Sequence, residues 1–277
     1  MFFTYLNLMP KGNKARVIIL TGKETHHINT CATLISNDIN VVGIFAIKKN
    51  KLRIQLRIVF SSIKKNGLMN TSSKIISRIV YLLRNLRLDY KLKSEIFNIG
   101  WANTILLSWQ GTLFDVDDYN NPNTIQNIKE LKPDIIIVHS KSWVPTSILE
   151  ISSIKYVIGG HPGITPAYRG SHSPFWAITN NDFNNIGWTV FHLDSEVDSG
   201  QIIEQGTIEI GSPETFFSLS WKGMKEIAIA QVRAIKSYEA NGKIIGSTNF
   251  NLKRNAIYSL PTLLDLIRYW IAQDKVR

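Results

Sequence analysis

Ile135, Ile136, Ile137 and Val138 follow one another without a polar residue, so a strand built from them is apolar on both faces. Such a strand needs helices covering both sides, the arrangement of parallel sheets in α/β proteins. Val17-Ile18-Ile19-Leu20 has the same character and is stopped by Gly22. A helical stretch then runs to about Ser36, and Val41-Val42-Gly43-Ile44-Phe45-Ala46 makes a second strand. Strand, helix, strand is the repeating unit of a doubly wound sheet. Further strands are expected at Tyr156-Val157-Ile158 and from Gly187 to Leu193, with Ile105-Leu106-Leu107 a weaker candidate, and a helix from Asn123 to Leu131 ends before Pro133. Ser212 is placed to cap a long helix with Pro213 at its first position, running to about Ala240, and an apolar helix follows Pro261. The expected fold class is therefore α/β, a doubly wound and mostly parallel sheet in one domain over residues 14–240, followed by a helical C-terminal extension over 241–277.

A chain of 277 residues, 44% hydrophobic, has the material for a full core. Cys31 is its sole cysteine, so no internal disulfide and no thiolate metal site can form, and cytoplasmic residence is expected. The apolar segment Met1–Pro10 has no basic residue ahead of it and no small-residue cleavage site behind it, which argues against a signal peptide or a membrane span.

The net charge of +11 is concentrated in one segment. Between Lys48 and Lys93 stand thirteen Lys or Arg and one acid, Asp89, a local +12 that leaves the rest of the chain near −1. This basic insertion, residues 48–93, reads as two amphipathic helical stretches, about Lys51 to Lys65 and Ser72 to Lys91, separated by Asn66-Gly67 and Asn70. In the second, Ile75, Ile76, Ile79, Leu82, Leu83 and Leu86 recur at spacings of three and four. Two readings are open. One is a helical hairpin packed on the domain, its basic face in water or against substrate phosphates. The other is an element lying on an anionic membrane, its apolar residues such as Ile54, Ile58 and Val59 rimmed by cations, which would make the protein peripheral to the inner face of the membrane. Nucleic acid is the weakest partner, because only Phe60 and Tyr81 accompany the charge.

Residue types with chemical use gather between 159 and 200. Gly159-Gly160-His161-Pro162-Gly163-Ile164-Thr165-Pro166-Ala167-Tyr168-Arg169-Gly170 delivers a histidine from a strand end into a loop whose prolines and glycines resist helix and strand. Asp198-Ser199-Gly200 follows the next strand and brings a carboxylate to the same sheet edge, where ligands bind in open α/β folds. A histidine and a carboxylate there suit proton transfer and stabilisation of a developing oxyanion. Gly22 and Lys23, at the end of the first strand, stand where doubly wound folds bind phosphate, and Arg169 and Gly170 are candidate substrate contacts. GxGxxG is missing, which argues against nicotinamide and flavin binding, and His26-His27 lack further ligands, so no metal is expected.

Taken in order, Lys132-Pro133-Asp134 with its strand, His161-Pro162, Pro166, Tyr168-Arg169-Gly170, Gly187-Trp188-Thr189-Val190 and Asp198-Ser199-Gly200-Gln201-Ile202-Ile203 resemble the folate-dependent formyltransferase family. The resemblance runs from about Arg16 to Ala240. It implies transfer of a formyl group from 10-formyltetrahydrofolate to a primary amine without a metal, with His161 and Asp198 catalytic. It also implies that the pterin lies between two loops, one with Trp143, Val144 and Pro145, the other with Asp194, Glu196 and Val197. The family's Asn-x-His motif has Gly159 at the asparagine position, so the amide donor to the formyl oxygen is absent. Ser140, Ser142, His139 and His172 are candidate replacements. The acceptor expected is an amino sugar carried on a nucleotide, in glycan biosynthesis, rather than tRNA or glycinamide ribonucleotide. Only about 37 residues follow Ala240, short for the C-terminal barrel of a tRNA formyltransferase, and the purine-pathway enzyme has little use for the basic insertion. Hydrolysis of formyltetrahydrofolate, or folate or nucleotide binding without turnover, are the alternatives.

Overall fold

The computed structural model describes residues 14–48, 60–65, 67–140, 142–193, 198, 200–246 and 255–274. The N-terminal segment, residues 49–59 and 66 of the basic insertion, and the loop residues Asp194, Glu196 and Val197 lie outside the described residues. The elements run β1 (Val17–Thr21), α1 (Thr25–Ser36), β2 (Val41–Ile47), α2 (Leu68–Ile96), α3 (Ile99–Ser108), β3 (Thr112–Val116), α4 (Pro122–Leu131), β4 (Ile135–His139), α5 (Thr146–Leu149), β5 (Tyr156–His161), β6 (Arg169–Gly170), α6 (Ser173–Thr179), β7 (Gly187–His192), β8 (Ile202–Thr207), α7 (Phe216–Asn241), β9 (Ile257–Tyr258) and α8 (Leu263–Gln273).

Seven strands form one sheet in the order β3-β2-β1-β4-β5-β7-β8. The first five in that order are parallel, and β7 and β8 add an antiparallel edge. β1 and β4 are the central strands, and their continuous apolar runs are explained by burial on both faces. Alternate side chains Ile18, Leu20, Ile136 and Val138 pack with Phe45, Tyr119 and Ile148. Val17, Ile19, Ile135 and Ile137 pack on the other face with Leu34, Ile227 and Ile235, from α1 and α7. A third core lies off the sheet, where Tyr81 of α2, Tyr168, Phe175 of α6, Phe216 of α7, and Leu266 and Tyr269 of α8 meet.

Four expectations change. Ile105-Leu106-Leu107 is helical, inside α3, because the Asn98 side chain caps that helix by accepting from Trp101 N at 2.9 Å, and the edge strand falls instead at β3. Three apolar residues in a row fit a helix as well as a strand, and the cap decides. The long helix α7 starts at Phe216, since Thr215 and Ser218 form a reciprocal capping box that leaves Ser212 and Pro213 outside; it ends one residue beyond Ala240, at a left-handed Gly242. In the basic insertion, the break falls at Gly67, whose φ is 78°, while Asn70 lies within an unbroken 29-residue helix. Finally, 255–274 is packed into the fold: β9 pairs in parallel with β6, and α8 fills the third core.

Candidate active site

β5 carries His161 to its last position, and Pro162 and Gly163 turn the chain away. A buried network then shapes the loop. Thr189 Oγ1 on β7 donates to Gly163 O at 2.8 Å and accepts from Thr165 N at 3.1 Å, while Gln205 Nε2 on β8 donates to Thr165 O at 2.7 Å. The loop returns as Tyr168, whose carbonyl lies 2.8 Å from His161 Nε2, and Ser173 Oγ lies 2.7 Å from the same nitrogen. A carbonyl only accepts, so Nε2 carries a hydrogen. The other nitrogen, Nδ1, stands 3.3 Å from Asp198 Oδ2. That approach is favourable when a proton is shared by the pair, because an imidazole lone pair and a carboxylate repel.

The sequence separates His161 from Asp198 by 37 positions, and the fold brings them together as expected. Asp198 adopts a left-handed φ of 49°, which aspartate tolerates. Gly170 N also donates to its Oδ2, at 3.1 Å. Oδ1 takes no hydrogen bond from a described residue, and the Asp198 side chain is 21% exposed against 8% for His161. The imidazole is thus enclosed with both nitrogens engaged inside the protein.

Other candidates divide. Gly170 has φ 87°, and a Cβ there would lie 2.5 Å from Tyr258 O, so glycine lets β9 approach the strand that holds Asp198. Arg169 Nη2 donates to Asn255 Oδ1 at 2.8 Å. Lys23 Nζ is paired with Asp115 at the end of β3, 2.6 Å away, and Gly22 packs under the His27 ring. In the β4 loop, Trp143 is exposed and available for stacking. Val144 spends its side chain on the core and offers only backbone to a ligand, and Pro145 starts α5.

At Gly159 the backbone is ordinary strand, but a Cβ would come within 3.0 Å of the Phe191 ring and 3.2 Å of Leu193, so that space is filled. Of the substitute donors, His139 is committed to Gln231 Oε1 at 2.7 Å, and burial pushes its pKa down to about 4, leaving it neutral at pH 7. His172 is packed against Phe216 and Phe217. Ser140 and Ser142 remain at the end of β4, with Ser142 N donating to Ser140 Oγ. Glu24, His26 and His27 bring ligand-type atoms within 4.8 Å of one another, yet Glu24 N donates to His27 Nδ1 at 3.2 Å as part of the α1 cap, which uses that nitrogen.

Nothing in the sequence assigns Ser173, the Tyr168 carbonyl or the Gly170 amide to the pair. The available signal was Ser-Pro opening a helix, which marks a helix start and says nothing of a histidine.

Comparison with known proteins gives a consistent relationship. A GDP-perosamine N-formyltransferase of Brucella melitensis biotype 1 is 34% identical over 102 residues, 36% of this chain and 38% of that protein. A methionyl-tRNA formyltransferase of Desulforamulus reducens is 37% identical over 91 residues, 32% of this chain and 28% of that protein. The match thus spans less than two-fifths of the length of these curated relatives. A 4-N formyltransferase structure from Francisella tularensis shares the fold, with a TM-score of 0.54 at 18% identity over 94% of this chain and 88% of that one. The formyl transferase family matches residues 15–235, which take in the whole sheet and the His161–Asp198 pair, and the chain belongs to that family.

Proposed function

We propose that this protein is an N-formyltransferase that moves a formyl group from 10-formyltetrahydrofolate to the primary amine of a nucleotide-linked amino sugar. The observation that carries the reading is the His161–Asp198 pair, 3.3 Å apart, with the imidazole enclosed and the carboxylate side chain the more exposed of the two. In the reaction the amine nitrogen attacks the formyl carbon, a C–N bond forms, and the carbonyl oxygen becomes an oxyanion. Collapse breaks the bond to N10 of the folate. The amine must lose a proton and N10 must gain one, and Asp198 Oδ1 is the group to carry it. His161, bonded on its far side to Tyr168 O and Ser173 Oγ, holds the carboxylate and balances its charge. Ser140 and Ser142 take the oxyanion-donor role that a glycine at 159 leaves open; such a donor is worth roughly a hundred- to a thousandfold in rate. The exposed Trp143 ring supplies a stacking face for the pterin.

An amino sugar on a nucleotide is favoured as acceptor by the GDP-perosamine N-formyltransferase among the relatives. The test is consumption of 10-formyltetrahydrofolate by purified protein with and without a panel of nucleotide-linked amino sugars, with glycinamide ribonucleotide and methionyl-tRNA as competing acceptors. Consumption dependent on an amino sugar is expected. Consumption without any acceptor would mean hydrolysis, and none with any acceptor would mean binding without turnover. Either result overturns the proposal.

A further inference from the structure

α2 has its apolar stripe on the outside. On a helix advancing about 100° per residue, Ile75, Ile76, Ile79, Leu82, Leu83 and Leu86 fall within an arc of roughly 120°. That arc is exposed, with Ile79 at 51%, Leu83 at 82% and Leu86 at 62%. The side turned to the protein carries Thr71, Ser77, Tyr81, Asp89 and Leu92, a mostly polar set. Hydrogen bonds, two of them buried, set this orientation. Asp89 Oδ1 accepts from Thr215 Oγ1 at 2.6 Å and from Tyr81 OH at 3.3 Å, and Ser73 Oγ accepts from Leu263 N at 3.1 Å. The helix is therefore held with its isoleucines and leucines outward. The neighbouring α8, joined to it by the Arg84 guanidinium 4.5 Å over the Trp270 ring, exposes Leu264, Ile267 and Ile271 as well.

Scattered exposed apolar residues need no partner, but a continuous stripe does. Charge identifies the partner. On the same helical wheel Arg78 and Arg87 flank the stripe, one on each side, with Lys74, Arg84 and Lys91 behind them. The one acid facing solvent on α2 is Glu95, at its far end. A second copy of the chain would set these cations against their equivalents. A nucleic acid would find aliphatic side chains where it needs aromatic faces. A flat anionic surface with an apolar interior satisfies both the stripe and its rim, and among the described residues no helix is long and apolar enough to cross it. We propose that α2 is an interfacial helix that docks the protein on anionic lipid bilayers, its stripe seated at the headgroup boundary and its arginines on lipid phosphates.

The experiment is flotation of the full chain with phosphatidylcholine vesicles, with and without phosphatidylglycerol, at low and high salt. Two variants accompany it: Ile79→Asp with Leu83→Asp, and Arg78→Gln with Arg87→Gln. All four positions are exposed, and circular dichroism confirms that each variant is folded. Binding that requires phosphatidylglycerol and weakens with salt is expected, with a loss of roughly fivefold per arginine removed and tenfold or more for the aspartate pair. The proposal is overturned by failure to float with anionic vesicles at low salt or by equal flotation with and without phosphatidylglycerol. Binding unchanged in both variants also overturns it. So does self-association of the parent that the aspartate pair abolishes in the absence of vesicle binding, since that would make a second copy the occupant.

Discussion

His161 is held from both ends, and that makes its removal different from the loss of a free side chain. Without the imidazole, Asp198 keeps, among the described residues, the Gly170 amide alone, and its carboxylate loses the partner that balances its charge. His161→Ala and Asp198→Asn are each expected to lower kcat/KM by roughly a hundredfold or more, with the double variant little worse than either, because the two act as one unit. Steady-state kinetics together with unchanged thermal unfolding check this; near-normal turnover in a folded His161→Ala protein would end the proposed roles. Gly159 makes a second residue-scale case. Restoring a side chain there meets no backbone penalty but must push aside Phe191 and Leu193. Gly159→Asn alone should cost about 1–3 kcal/mol of stability, the usual cost of overpacking, and gain no rate. Phe191→Ala costs stability by itself, since that ring is buried, but in its background Gly159→Asn should cost less than in the parent because the occupied space is open; denaturant unfolding of both single variants and the double measures the coupling.

At the scale of elements, one buried acid ties α2 to the cap of α7, beside the packing of Tyr81 on Phe216. Burial raises the Asp89 carboxyl above its usual value of 3.8, against the opposing hydrogen bonds from Thr215 and Tyr81. A carboxyl whose folded pKa is raised contributes stability that is complete below its unfolded value and is lost as pH rises through the folded one. Asp89→Asn keeps an acceptor for Thr215 Oγ1 and removes the charge. It should therefore flatten the decline in stability that begins above pH 3.8 and leave the protein at least as stable at neutral pH. Unfolding midpoints from acid to neutral pH, parent against variant, give the answer, and an unchanged pH dependence would remove Asp89 as its source.

For the whole molecule, the third core joins distant parts of the chain. Tyr269 of α8 stacks on Phe175 of α6 with centroids 4.8 Å apart and meets Phe216 of α7 edge-on at 5.6 Å. The same C-terminal stretch supplies β9, which lies beside Gly170 and so beside Asp198. Tyr269→Ala should cost about 3–5 kcal/mol, as truncation of a buried aromatic does. It should also reduce turnover beyond the unfolded fraction, because the wall behind the site loosens. Urea unfolding and activity measured on the same samples separate the two effects.

Local pattern determined much of this protein. The apolar runs without alternation at Val17–Leu20 and Ile135–Val138 are mostly β-branched, which favours strands buried on two faces over helix, and the order of strands and helices between them leads to a doubly wound sheet. His161 and Asp198 were legible because a strand end and a tight loop localise each of them. The direction α2 faces was not. Periodicity states which side chains share a face, and it cannot state which face is turned inward; that was decided by Thr215 and Tyr81 closing on Asp89. Nor could spacing assign Ser173, the Tyr168 carbonyl and the Gly170 amide to the His161–Asp198 pair. Backbone groups have no residue identity to read, and their placement depends on the loop that Thr189 and Gln205 hold from neighbouring strands. The space at Gly159 belongs to tertiary structure for the same reason: its occupant, Phe191, is brought opposite by antiparallel register, which exists only once the sheet has formed.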